Sequence, residues 1–199
     1  QRFQISLGHC RHIEQVGVKN TRTRGPVVGE TILIQGGGGT VARLAIQIAA
    51  DCGAQVIATT GDPGAADHIT QAGASAVLDY RDPRLPEAVA AASGGRPVTR
   101  LIDAEIGTNM AANIDILAEK GIMVGYGSVL KPVAELPFLK MMFKNITLSS
   151  ILVYLLDADE AAAYAAIVGD MLARGALDVP VGHVLPLANA AQAHELVEG

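Results

Sequence analysis

The feature that most constrains the fold is a run of four glycines between a short apolar segment and a longer amphipathic one. Thr31–Gln35 is rich in β-branched and aliphatic residues and predicts a buried strand, which Gly36–Gly39 follow directly. Apolar residues then recur at helical spacing over Thr40–Cys52, which predicts a helix. A strand that turns through glycines straight into a helix predicts the first unit of an α/β fold.

The same alternation continues along the chain. Further strands are predicted at residues 55–59, 75–79, 99–103, 121–125 and 146–154, and further helices at residues 65–72, 85–92, 110–117 and 157–174. Strands that alternate with helices of this size indicate a parallel sheet covered on both faces. The predicted fold class is therefore α/β: a doubly wound parallel sheet of the Rossmann type with three α/β/α layers.

Composition and charge exclude several other classes of protein. Half of the 199 residues are apolar, which excludes a disordered chain, and the longest apolar runs (151–156 and 161–169) are too short to cross a membrane. Residues 1–25 carry a net charge of +4 and the remainder −9, so nucleic acid is not expected as the main partner. Two cysteines, Cys10 and Cys52, do not make a disulfide framework, and a cytoplasmic location is expected.

The glycine run contains the pattern G-x-G-x-x-A, with Gly37, Gly39 and Ala42 in its three roles. The first glycine permits a tight turn, the second lets the backbone approach a pyrophosphate, and the small third residue lets the helix lie near the strand. Amides at the helix start would then face the phosphates. No Gly-Lys-Ser/Thr follows the glycines, which excludes a P-loop, so the pattern predicts a dinucleotide site.

The end of the second predicted strand bears on the choice of dinucleotide. An NAD site usually has Asp or Glu there to bind the ribose hydroxyls, whereas this chain has Ala-Thr-Thr at residues 58–60, and Asp62 lies too far along. A missing carboxylate removes a repulsion against a 2′-phosphate, so NADP(H) is favoured over NAD(H). Three further residues are either donors or cations for that phosphate or parts of a solvated turn: Tyr80, Arg81 and Arg84.

Several segments, taken in order, resemble a known family. They are residues 29–42, Gln47-Ile-Ala, Ala72-Gly-Ala, Asp79-Tyr-Arg and Ala193-His-Glu. Together they are similar to the cofactor half of medium-chain dehydrogenase/reductases, above all to the zinc-free NADPH:quinone reductase branch, the ζ-crystallin-like proteins. The resemblance covers about residues 26–199.

The resemblance implies a set of cofactor contacts. It places the pyrophosphate against the glycine loop, the adenosine ribose near the end of the second strand, the 2′-phosphate beside a tyrosine and the nicotinamide beside the loop after the fifth strand. The residues expected at these places are Gly36, Gly37, Gly38, Gly39, Thr40, Val41, Thr60, Tyr80, Gly125, Tyr126, Gly127 and Ser128. Two positions depart from the family, because Ala65 stands where bacterial quinone reductases have a lysine that grips the 2′-phosphate, and Thr40 is bulkier than usual.

The resemblance also implies a domain organisation and an assembly. Family members carry a GroES-like catalytic domain ahead of the cofactor domain. We therefore expect a Rossmann domain at residues 26–177, a return segment at 178–199 that packs on such a catalytic domain, and an irregular segment at 1–25 that fits the family poorly. The resemblance further implies a homodimer in which the strand at residues 146–154 pairs across a two-fold axis.

The expected function is the cofactor-binding part of an NADPH-dependent oxidoreductase that transfers hydride to a small molecule, a quinone or an activated alkene or carbonyl. The chain alone is expected to bind NADP(H) weakly without turnover. The alternatives are part of a zinc-dependent alcohol dehydrogenase, or a nucleotide-binding module without catalysis. No zinc is expected in this chain, because His9, Cys10 and His12 are too few ligands. No catalytic residue is assigned, and Asp103 is expected to cap a helix or turn rather than act as an acid.

Overall fold

The computed structural model describes residues 27–198, and it shows strands and helices in the predicted alternation. The strands are β1 (Thr31–Ile34), β2 (Gln55–Thr60), β3 (Ala76–Asp79), β4 (Val98–Asp103), β5 (Leu117–Gly125) and β6 (Thr147–Ser150). The helices are α1 (Thr40–Asp51), α2 (Ala66–Gln71), α3 (Leu85–Ala92), α4 (Ile106–Ile116), α5 (Phe138–Lys144), α6 (Ala158–Ala173) and α7 (Ala190–Glu198). Short 3₁₀ turns lie at Pro63–Ala65, Val153–Leu155 and Leu187–Asn189.

The six strands form one sheet in the order β3-β2-β1-β4-β5-β6. Every neighbouring pair is parallel. The chain therefore winds outward from β1 in one direction and then from β4 in the other, which is the doubly wound arrangement predicted. No helix among residues 27–198 is both long enough and apolar enough to cross a membrane.

Each face of the sheet carries its own apolar core, as a sheet with helices on both faces requires. One core joins β1 and β2 to α1 and α2, and its largest members are Ile32, Ile34, Ile46, Val56 and Ile69. The other core joins the opposite face to α3, α4 and α5 through Leu33, Ile57, Leu101, Ile114 and Met123. Alternate residues of β1 thus enter opposite cores, because successive side chains of a strand point to opposite faces.

The last strand is shorter than predicted. The apolar run at residues 146–154 was expected to be a single strand, but β6 ends at Ser150 and Val153–Leu155 forms a 3₁₀ turn. The reason is the length of the neighbouring strand, since Ser150 pairs with Gly125, the last residue of β5. Beyond that point the run has no parallel partner strand within the described sheet.

Helix α4 begins four residues before its predicted start, at Ile106. Gly107 and Thr108 both lie in the first turn of this helix. Helix α5 was not predicted at all. In its run Met141-Met142-Phe143 only Met141 is buried, whereas Met142 and Phe143 are exposed.

Helix α5 is held to the rest of the fold by its two lysines as well as by Met141. The Nζ of Lys144 donates to the carbonyl oxygens of Ile114, Asp115 and Leu117 at 2.8, 2.9 and 2.8 Å. Lys140 forms an ion pair of 2.8 Å with the carboxylate of Asp115. The lysine ammonium thus satisfies carbonyls at the end of α4, which a helix leaves without intrahelical partners.

The segment after α6 returns to α1. The backbone of Asp178 donates to and accepts from the side-chain amide of Gln47, at 2.6 and 2.9 Å. Its carboxylate also pairs with Arg43 at 3.0 Å. The domain boundaries expected at residues 26, 177 and 178 remain predictions, and the irregular segment expected at residues 1–25 lies outside the described residues.

Candidate functional site: a crevice at the carboxyl edge of the sheet

The predicted cofactor residues meet at one edge of the sheet, where the parallel strands end. Gly36–Gly39 follow β1, Thr60 ends β2, Tyr80 follows β3, and Gly125–Ser128 end and follow β5. Strands β1 and β4 are neighbours whose connections run in opposite directions, so a crevice opens between their carboxyl ends. The fold thus brings all twelve predicted contacts to the one place where α/β sheets bind ligands.

The glycine loop is tied down to β2 on one side and open on the other. The amide of Gly36 donates to Thr59 Oγ1 at 3.2 Å, and the amide of Gly37 donates to the Thr59 carbonyl at 2.7 Å. Gly39 is the N-cap of α1, and no side chain caps this helix. Because the first amides of a helix have no intrahelical acceptor, the start of α1 offers donors and a positive dipole end to an anion.

Thr60 lies directly across from the glycine loop. A Cβ built on Gly38 would lie 3.7 Å from Thr60 Oγ1 and 3.5 Å from the Cβ of Ala65. Two carboxylates lie near Thr60, and each has a partner. That of Asp62 accepts from the amide of Gly64 at 2.9 Å and so caps the short turn after β2, and that of Asp79, which pairs with Thr60 in the sheet, is held by Arg81 at 2.9 Å. This part of the crevice therefore presents a hydroxyl and a small side chain where an NAD site has an acid.

Beside the glycine loop lies a cleft of about 320 Å³ between α1, α2 and the segment after α6. It is lined by Gly37, Gly38, Arg43, Ala65, His68, Ile69 and Pro180. Its arginine is paired with the carboxylate of Asp178 at 3.0 Å.

Tyr80 also reaches the crevice, because its ring lies against Gly61, the residue after β2. The two arginines near it differ in how available they are. Arg81 forms a two-pronged pair with Asp79 at 2.9 Å, and Arg84 lies 3.9 Å from Asp82. The Arg81 hydrogen bonds lower the pKa of Asp79, and Asp79 in turn raises the pKa of Arg81. Arg81 is thus occupied by a carboxylate of its own turn, whereas the Arg84 side chain is 82% exposed and only loosely paired.

The loop after β5 is fixed to the end of β4. The amide of Tyr126 donates to the Asp103 carbonyl at 3.1 Å, and Ser128 Oγ accepts from the amide of Gly107 at 2.9 Å. Tyr126 is half-buried, and burial, with a smaller effect from the charge of Asp103, raises the pKa of its phenol. The phenol therefore stays protonated at neutral pH and can donate a hydrogen bond in the crevice.

Glu105 is a site residue that sequence reasoning missed. Its carboxylate accepts from three successive amides, those of Val129, Leu130 and Lys131, at 2.8, 3.0 and 3.0 Å. These bonds, that of Leu130 first, lower the pKa of Glu105. The sequence did show a carboxylate two residues beyond the end of a predicted strand. Nothing in the sequence showed which amides that carboxylate would bind.

Of the two roles expected for Asp103, a helix cap or a turn, the structure shows the turn. Asp103 is 1% exposed, and its Oδ1 accepts from the amide of Glu105 at 2.8 Å and from Asn109 Nδ2 at 3.2 Å, at the start of α4. Sequence reasoning missed two buried amides beside it, Gln35 and Asn113. For Gln35 the signal was present, since it is a polar residue at the end of an otherwise apolar strand.

The histidines that the structure describes, His68, His183 and His194, are all exposed. Within residues 27–198 no three His, Cys, Asp or Glu side chains lie close enough to hold a metal ion. His9, Cys10 and His12 lie outside the described residues, so the absence of zinc remains a prediction.

Comparison with protein families and known proteins agrees with this geometry. Residues 40–169 match the family model described as zinc-binding dehydrogenase. Quinone oxidoreductase from Salmonella typhimurium is 28% identical over 174 residues, which are 85% of this chain and 53% of that protein. Quinone oxidoreductase from Sus scrofa is 28% identical over 167 residues, which are 84% of this chain and 50% of that protein. The chain thus spans about half the length of these relatives.

Solved structures show the same similarity. Escherichia coli quinone oxidoreductase complexed with NADPH superposes with a TM-score of 0.75 at 25% identity, over 94% of this chain and 59% of that one. A mycobacterial protein, also complexed with NADPH, gives a TM-score of 0.75 at 25% identity, over 96% of this chain and 60% of that one.

Proposed function

Because the chain belongs to the zinc-binding dehydrogenase family of medium-chain dehydrogenase/reductases, we propose that its crevice binds NADPH for hydride transfer to a small molecule. The substrate class we propose is a quinone or an activated alkene or carbonyl. The observation that carries the proposal is the uncapped start of α1, which opens beside a glycine loop at the β1–β4 crossover. The similarity of the chain to two quinone oxidoreductases supports the proposal further.

The residues of the crevice fit such a cofactor in size and polarity. The amides at the start of α1 would hold the pyrophosphate against the glycine loop, with Thr60 and Tyr80 on the adenosine side. Residues 125–128 would lie on the nicotinamide side. The bound nicotinamide supplies the hydride, while the protein orients it and excludes water. No side chain of the crevice is assigned as an acid in this step.

The preference for NADPH over NADH rests on the end of β2. Thr60 occupies the position where a carboxylate would repel a 2′-phosphate, and the carboxylate of Asp62 is engaged by the amide of Gly64. Tyr80 stands next to this position and offers a hydroxyl. Ala65 stands where bacterial quinone reductases have a lysine, so the preference for NADPH over NADH is expected to be modest.

Calorimetric titration of the chain with NADPH and NADH tests both statements. We expect NADPH to bind more tightly than NADH. We expect Thr60→Asp to weaken the binding of NADPH and to leave the binding of NADH unchanged or tighter. Ala91→Asp, which adds the same charge at an exposed position of α3, is the matched control and should change neither. Failure of the unaltered chain to bind either dinucleotide would favour a structural module without redox chemistry.

Turnover is a separate measurement. The chain alone is expected to bind NADPH without reducing quinones, so oxidation of NADPH at an ordinary enzymatic rate, about 1 to 1000 per second, would contradict that expectation. A cytoplasmic location also remains a prediction.

We also propose that a second copy of the chain covers the β6 edge of the sheet. Among residues 27–198, β6 pairs with β5 alone, and the residues after it are apolar and exposed, Tyr154 at 87% and Leu155 at 79%. An uncovered edge next to such a run is an aggregation hazard. Light scattering should report a dimer, and Leu152→Asp should give a monomer, whereas Val184→Asp, in the segment after α6, should not.

A further inference from the structure

A line of buried polar side chains runs beneath the crevice, across the carboxyl ends of the three central strands. Its members are Thr59 at the end of β2, Gln35 after β1, Asn113 on α4 and Asp103 at the end of β4. They are exposed by 0%, 2%, 0% and 1%. A buried polar group without partners is costly, so four in a row require a mutual explanation.

Each of these side chains is hydrogen-bonded to the next. Thr59 Oγ1 donates to Gln35 Oε1, Gln35 Nε2 donates to Asn113 Oδ1 at 2.9 Å, and Asn113 Nδ2 donates to Asp103 Oδ2 at 2.7 Å. At the far end, Thr59 Oγ1 accepts the amide of Gly36 at 3.2 Å. The line is therefore continuous from the glycine loop to the start of α4.

The carboxylate of Asp103 dictates the direction of every bond in this line. An ionised carboxylate only accepts, so Asn113 must turn its nitrogen to it and its oxygen to Gln35. Gln35 must then donate to Asn113 and accept from Thr59, whose oxygen is left to accept the Gly36 amide. All donors point toward the one buried charge, an arrangement in which successive hydrogen bonds polarise and strengthen one another.

The same carboxylate also reaches the other side of the crevice. Asp103 Oδ1 accepts the amide of Glu105 at 2.8 Å, and the Glu105 side chain holds the amides of residues 129–131. One hydrogen-bonded path therefore joins the two loops that line the crevice, the glycine loop and the loop after β5. Neither Gln35 nor Asn113 is exposed to a ligand in that crevice.

We propose that Thr59, Gln35 and Asn113 are positioning residues, through which Asp103 aims the amide of Gly36 into the floor of the crevice. With that amide engaged, the loop keeps the conformation in which the start of α1 faces the phosphates. This inference rests on the proposed binding of NADPH. Three side chains that the cofactor does not touch would then contribute measurably to its affinity.

Thr59→Val tests the proposal, because it replaces the hydroxyl by a methyl group of the same shape. The Gly36 amide then loses its acceptor, and we expect the Kd for NADPH to rise about five- to tenfold. Thr59→Ser retains the hydroxyl and should bind NADPH as the unaltered chain does. Affinity is measured by calorimetry, and folding is verified by circular dichroism.

Thr31→Val is the matched control. Thr31 is 2% exposed and donates its hydroxyl to a glutamine side chain, that of Gln55, at 3.1 Å, but it lies at the amino end of the same sheet. It should lose stability as Thr59→Val does, while the Kd for NADPH stays unchanged. Equal weakening of binding by both valine variants would show general loosening of the sheet and overturn the proposal.

The remaining outcomes separate this inference from the proposed function. If the unaltered chain binds NADPH and Thr59→Val binds it equally well, the inference is overturned and the proposed function stands. If the unaltered chain binds no NADPH, the proposed function fails and the inference fails with it. Failure of Thr59→Ser to restore binding would also count against the role of the hydroxyl.

Discussion

Two of the four glycines of the loop, Gly37 and Gly39, should respond in opposite ways to substitution by alanine. At Gly39 the backbone has φ −78° and ψ 153°, which any residue adopts, and an added Cβ would approach nothing closer than the Gly36 carbonyl oxygen at 3.4 Å. At Gly37 an added Cβ would lie 3.1 Å from the Cβ of Ala58 and 3.4 Å from the Cδ1 atoms of Ile46 and Ile69. A methyl group therefore fits at Gly39, whereas at Gly37 it would press against the apolar core.

The expected magnitudes follow from these contacts. Gly39→Ala loses a favourable N-cap residue and gains from a less flexible unfolded chain, so its free energy of unfolding should change by less than about 1 kcal/mol. Its methyl group would keep a phosphate from the α1 amides. The loss of one charge-assisted hydrogen bond, about 1.5–3 kcal/mol, corresponds to a roughly 10- to 150-fold rise in the Kd for NADPH. Gly37→Ala should instead destabilise the fold by about 1–3 kcal/mol through overpacking.

Urea unfolding followed by circular dichroism gives the first quantity, and calorimetric titration with NADPH gives the second. The reasoning predicts a fully folded Gly39→Ala protein with impaired binding. A Gly39→Ala protein that binds NADPH as tightly as the unaltered chain would refute the placement of the pyrophosphate at the start of α1. A Gly37→Ala protein of unchanged stability would refute the packing argument.

Two further predictions concern stability. The pKa of Glu105 is lowered in the folded state, so its ionised carboxylate stabilises the fold above the ordinary carboxyl pKa, and this stabilisation is lost as the pH falls through the lowered pKa. Glu105→Gln should therefore reduce the melting temperature at pH 7. The difference in melting temperature should shrink on acidification to about pH 3. Thermal unfolding at both pH values measures this, and an equal difference at both would contradict it. Leu101 is 0% exposed in β4, and Leu101→Ala should lower the free energy of unfolding by about 2–5 kcal/mol, as measured by urea unfolding. A decrease below about 1 kcal/mol would contradict this and show that the core relaxes around the cavity.

The strands of the sheet were predictable because each signal was local. β1, β2 and β4 are short β-branched runs whose predicted bounds hold to within one residue. The glycine run closes β1, β2 ends in threonine and β4 ends in aspartate. Where the bound depended on a neighbour, the prediction failed. The apolar run after Ser150 has every local property of a strand, yet β6 ends where β5 ends, and β5 lies more than twenty residues away in the chain.

The site divides in the same way. The glycine loop is a local pattern, and the structure places it at the expected crevice. The partners of Asn113 were beyond reach of sequence reasoning, because they lie 78 residues away at Gln35 and 10 residues away at Asp103. Glu105 poses the same problem, since its carboxylate meets amides 24 to 26 residues further along. Polar side chains show their role only once the fold has chosen their partners.

The lysines of α5 determine the character of its outer surface. Both ammonium groups are drawn back onto α4, to the carboxylate of Asp115 and to three backbone carbonyls. Phe138, Leu139 and Phe143 are left facing outward, 62%, 65% and 78% exposed. A partner that packed on these three side chains would therefore be held mainly by the burial of apolar surface. Such association is insensitive to moderate ionic strength and weakens on cooling.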